Sequence, residues 1–123
     1  MQLEFFDSEV AGVDAGAGAL VIRFAAAHVH DADGEAGYLR GLVLTFRQVQ
    51  HCEGVLTECC GRLRDGSIRL HGFSAGRLDL ASPPQGLLHV ELQFANGAGL
   101  VLAARGLEIA SPSDCELTDV FRC

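Results

Sequence analysis

Apolar residues recur at every second position through much of the chain. Leu20, Ile22 and Phe24 share one face of an extended segment; Leu42, Leu44 and Phe46 share another, as do Leu88, Val90, Leu92 and Phe94. Arg23, Thr45, Arg47, His89, Glu91 and Gln93 fall on the opposite faces. A period of two marks strands with one face in a core and the other in water. Turn signals separate these runs roughly every eight to twelve residues, as in sandwiches and barrels. The pattern predicts an all-β chain: one domain over residues 1–123, an antiparallel sandwich or partly open barrel of about eight strands.

Two hairpins are predicted. Asp65-Gly66 is a two-residue turn signal. It would pair Leu63 with Ile68 and Gly61 with Leu70 on one face, and Arg62 with Arg69, Arg64 with Ser67 and Cys60 with His71 on the other. The second turns near Asn96-Gly97-Ala98-Gly99 and faces Leu92 with Val101 or with Leu102. Leu100, Leu102 and Ala104 then give way to Leu107 and Ile109, a slip of parity that suggests a bulge at Gly106. Gly12, Gly16 and Gly18 read as turn sequence, and Ser82-Pro83-Pro84-Gln85-Gly86 as a short loop. Over residues 112–122 the pattern leaves a short helix and a final strand open. Pro112 suits a first helical turn, with Leu117, Val120 and Phe121 as a small apolar stripe.

Composition narrows the function. Sixteen acids face nine basic residues, all Arg, for a net charge of -7. This balance argues against nucleic acid or an anionic membrane as partner. No apolar run approaches the ~18 residues of a membrane span. The N-terminus has no basic and apolar signal segment, so a cytoplasmic protein is expected, with its five Cys reduced. Residues 1–61 carry nine acids and three Arg, against seven acids and six Arg in residues 62–123.

Two clusters carry candidate chemistry. His28 and His30 point to the same side of a strand, and Asp31, Asp33 and Glu35 follow at a turn. Imidazole and carboxylate together suit a transition metal. The simpler reading is a solvated tip whose Asp and Gly serve the turn, and no resident metal or other cofactor is expected. The calcium-loop pattern is incomplete, since Leu42 stands where its twelfth-position acid belongs. The other cluster is the face of the first hairpin, where Arg62, Arg64 and Arg69 would stand with His71 and grip carboxylates or phosphates of a partner. A zinc set of His51, Cys52, Cys59 and His71 fits no standard module. Motifs for nucleophilic catalysis, zinc hydrolysis or phosphate cradling do not occur.

The order Phe6-Asp7-Ser8-Glu9-Val10, Ala19–Phe24, Leu88–Phe94 and Leu100–Ile109 resembles small uncharacterised bacterial all-β proteins. Some of these are immunity-like, of the kind carried on mobile gene cassettes. The resemblance implies a compact accessory protein that binds something, and it brings no catalytic residue. The expected function is non-enzymatic: a binding or adaptor protein acting through protein–protein contacts, self-associating as a homodimer. The alternatives are a β-barrel that binds a small molecule or metal near His28 and His30, and an immunity-type toxin neutraliser.

Overall fold

Burial follows the alternation. Ile22, Phe24, Leu44, Phe46, Val90, Leu92 and Phe94 all point into one apolar core. The computed structural model describes residues 1–111. They form nine strands: β1 (Gln2–Gly16), β2 (Ala19–His30), β3 (Ala36–Leu39), β4 (Val43–Glu53), β5 (Gly61–Leu70), β6 (Phe73–Ala75), β7 (Arg77–Asp79), β8 (Leu88–Phe94) and β9 (Gly99–Ala110). Six of them, in the order β2-β4-β9-β8-β5-β1, return to β2 through the β1–β2 ladder, and every pairing is antiparallel. The result is the expected all-β antiparallel fold, in the form of a closed six-stranded barrel with three added strands. Closure removes most of the unpaired edge that an open sheet leaves.

Three short strands lie outside the ring. β3 adds to the far half of β2, β7 to the start of β1, and β6 to the end of β5. Thus β1 and β2 run on past the barrel into a four-stranded extension, β3-β2-β1-β7. Its inner face buries Leu3, Val29, Leu39 and Leu78; its outer face is polar. Fully burying a Leu or Phe stabilises by about 1.5–3 kcal/mol, so this face is anchored as firmly as the barrel wall.

The structure departs from the sequence reading at several places. Asp65-Gly66 is not a turn, for β5 runs straight through it. Gly66 is buried, and a Cβ there would lie 2.6 Å from Phe5 Cβ and 3.0 Å from Leu92 Cδ2. The glycine serves close packing, and Asp65 Oδ1 accepts the Gly66 N–H at 2.8 Å beside a bulge at Arg64. The chain reverses instead at His71-Gly72, where both φ angles are positive (52° and 83°) and Leu70 pairs with Phe73. That is the geometry of a type I′ hairpin turn. The Ala17-Gly18 pair makes a similar turn, with φ of 54° and 75°, while Gly12 and Gly16 lie within β1.

The β8–β9 hairpin turns where expected, in another register. Leu92 faces Leu100, because Phe94 N–H donates to Ala98 O and the loop is Ala95-Asn96-Gly97. The parity slip in β9 is present, but without a register shift at Gly106. Arg47 faces Gly106 and Val49 faces Ala104, on either side of Gln48 at φ 51°, so both strands change face together. The register shift itself lies on β4, between Val49 and His51. The alternative of helix or strand over 112–122 lies outside the described residues.

The packing around Gly66 yields a test. Gly66→Ala should lower stability by about 1–3 kcal/mol, the usual cost of overpacking a filled core. Urea denaturation would show this as a lower midpoint, and an unchanged midpoint would contradict the close approach of Phe5.

Candidate metal site

The outer face of the four-stranded extension lines up polar residues from four strands. Cross-strand partners share a face. Tyr38 on β3 faces His28 on β2, His28 faces Glu4 on β1, and Glu4 faces Arg77 on β7. In the next row His30 faces Gln2.

Glu4 is the centre. Its Oε1 lies 2.7 Å from His30 Nε2, 3.6 Å from His28 Nδ1 and 3.8 Å from an Arg77 guanidinium nitrogen. The three side chains are half-buried, at 25% exposure for Glu4, 17% for His28 and 16% for His30. His28 Nδ1 also lies 3.2 Å from the Phe6 carbonyl, and its ring stacks on Tyr38 with centroids 5.2 Å apart. One carboxylate oxygen and two imidazole nitrogens thus lie within 4.8 Å of one another.

A serine holds this arrangement. Ser8 is the one fully buried polar side chain among the described residues. Its hydroxyl donates to the Glu4 carbonyl at 2.6 Å and accepts the His28 N–H at 2.8 Å. β1 is irregular between Glu4 and Glu9, so its backbone cannot serve His28 there, and Ser8 takes the place of the missing ladder bond. Within the same bulge Asp7 sits at φ 71°, a region that costs a non-glycine residue about 1–3 kcal/mol. Its carboxylate offsets that cost by accepting the Tyr38 hydroxyl at 2.6 Å and pairing with Arg62 at 3.4 Å.

The acids at the turn do other work. Asp31 Oδ1 accepts the backbone N–H groups of Asp33 and Glu35, both at 2.9 Å, and so closes the β2–β3 turn. His28 and His30 therefore meet a carboxylate, but from β1 and not from Asp31, Asp33 or Glu35. A straight ladder from the Ala17-Gly18 turn, which pairs Gly16 with Ala19, would place Glu4 opposite Asp31. The bulges move it three residues, to His28.

The arginine face does not assemble. With no turn at Asp65, Arg62 and Arg69 are seven residues apart on one strand, about 23 Å at ~3.3 Å per residue. Arg62, Arg64 and Arg69 are all exposed along it, and His71 lies in the turn beyond. The zinc set is not gathered either: Glu4, His28 and His30 are the one metal-competent group among the described residues. His51 pairs with Glu53 on the surface at 3.3 Å. Cys59 is buried, and its thiol donates to the Val55 carbonyl at 3.4 Å. Burial pushes that thiol up, the opposite of what activates a nucleophile.

Ser8→Ala would leave the Glu4 carbonyl and the His28 N–H without their partner. The expected loss is about 1–3 kcal/mol, the cost of a buried group left unsatisfied. Thermal unfolding measures the loss, while Ser8→Thr, which keeps the hydroxyl, should recover part of it.

No protein-family model, curated protein or solved structure matches this chain.

Proposed function

We propose that the protein is a non-enzymatic binding protein that takes one divalent transition-metal ion between Glu4, His28 and His30. The observation that supports this reading is the convergence of two imidazoles and a carboxylate at one half-buried point. Nitrogen donors disfavour calcium and magnesium, and suit zinc, nickel and cobalt. In a tetrahedral site, metal–ligand bonds of about 2.0–2.2 Å place neighbouring donors about 3.3–3.6 Å apart. The His30–Glu4 contact, at 2.7 Å, therefore opens on binding, the His28–Glu4 contact, at 3.6 Å, already has this spacing, and the two imidazole nitrogens, within 4.8 Å, are drawn together. These are side-chain adjustments on a backbone already fixed by Ser8.

A role through an arginine docking face has less support, since Arg62, Arg64, Arg69 and His71 are spread along β5 and its turn.

Titration of the metal-free protein with cobalt or zinc, followed by calorimetry, tests the proposal. One equivalent should bind at micromolar concentrations. Even outer partners of metal ligands are worth about 10–100-fold in affinity, so Glu4→Gln and His30→Ala should each cost at least tenfold. Asp33→Ser, at the adjacent tip, should leave binding unchanged. Absence of saturable binding, or equal losses in all three variants, would overturn the proposal.

A further inference from the structure

The two imidazoles are not alone in reaching for Glu4. Arg77 faces Glu4 across the β1–β7 ladder. A guanidinium nitrogen lies 3.8 Å from Oε1, the same oxygen that His30 meets at 2.7 Å and His28 approaches at 3.6 Å. A fixed cation and two metal-binding nitrogens thus converge on one carboxylate oxygen. Among the described residues Glu4 is the one ionic partner of Arg77. The other acids of this face are engaged elsewhere. Asp79, two residues along β7, turns to its own loop, where its Oδ1 accepts the Ala81 N–H at 2.9 Å. Asp7 accepts the Tyr38 hydroxyl and pairs with Arg62, and Asp31 holds the backbone of its turn. A guanidinium carries five N–H donors in a planar fork, so most of those on Arg77 stay open, on a side chain that is 48% exposed.

The next step rests on the metal-binding reading above. Glu4, His28 and His30 supply three donors, one fewer than a tetrahedral ion takes. The ion also sets its positive charge against the Arg77 guanidinium across the oxygen they share, and like charges this close repel. We infer that the metal-loaded site takes a small oxyanion, a carboxylate or a phosphate, with one oxygen on the open metal position and another on Arg77. Such a group completes the coordination shell and puts negative charge between the two cations. The arginine fork matches two oxygens of either anion, and the contact is charge-assisted.

Cobalt(II) is titrated into the full chain by calorimetry, in chloride at constant ionic strength, with acetate, with inorganic phosphate or with neither. A millimolar oxyanion should tighten cobalt binding about fivefold or more, the lower end of ordinary coupling between two ligands. The visible absorption of the bound cobalt should change as the oxyanion enters its shell. Arg77→Gln should bind cobalt more tightly than the unmodified protein in chloride alone, because the repelling charge is gone, and should lose most of the gain from the oxyanion. That reversal separates a ligand-holding arginine from a merely structural one. The variant, measured in the same buffers, also corrects for oxyanion bound to free cobalt. A gain with acetate alone assigns a carboxylate ligand, and a gain with phosphate alone a phosphate. Cobalt binding indifferent to both oxyanions, or an equal gain in Arg77→Gln, would overturn this inference and leave the metal site standing. Absence of cobalt binding in every buffer would overturn both.

Discussion

The Ser8 hydroxyl stands where two requirements of the fold collide. β1 must serve the barrel along Glu9–Gly16 and the outer extension along Gln2–Glu4, and these two stretches pair with β2 in different registers. The irregular residues between them leave backbone groups that the ladder cannot reach. A buried amide or carbonyl without a partner is costly, so the change of register persists only if something small and polar fills the gap. Ser8 does this with one donor and one acceptor, at 2.6 and 2.8 Å. The position of every polar residue on the outer face follows. Glu4 lies opposite His28, Tyr38 meets Asp7, and Arg77 is carried up to Glu4 by β7.

Much of the barrel was legible in the chain because alternation is a local signal with a large energetic consequence. Phe46, Leu92 and Phe94 had one possible inward face, and they occupy it. Glycine was harder to read. Asp65-Gly66 has the composition of a turn, yet Gly66 is small because Phe5, sixty-one residues earlier, lies against it. His71-Gly72, which does turn, lacks the Asn or Asp that marks the usual two-residue hairpin signal. Nothing local separates a glycine chosen for its φ from one chosen for its missing side chain. Register suffered likewise, for a three-residue loop moves every pair in the β8–β9 hairpin.

The histidines were visible as a pair, and their carboxylate was not. Glu4 is twenty-four residues from His28, and counting back from the Ala17-Gly18 turn brings Asp31 opposite it. The signal that points to it is the Leu3–Phe5 alternation, which turns Glu4 outward, together with the Asp7-Ser8 pair that interrupts the strand. A polar residue that must be buried in mid-strand is a sign that the ladder is broken there. The surface chemistry is thus a product of the irregularity, whereas the core is a product of the repeat.

The barrel's ring is completed by an unusually short ladder. The backbone ladder between β1 and β5 pairs Glu9 with Arg62 and Val10 with Gly61, while Phe5 against Gly66 and Asp7 with Arg62 add side-chain contacts. The remaining walls are longer, the β4–β9 ladder running from Val43 to Glu53. Local opening begins where the fewest backbone bonds must break. Parting these two pairs would turn the ring into a curled sheet while leaving the other ladders whole. Amide protons along this seam would then exchange ahead of those in β8 and β9. The two edges so released are templates for strand exchange with another chain, so the place where the barrel closes is also where it is open to domain swapping.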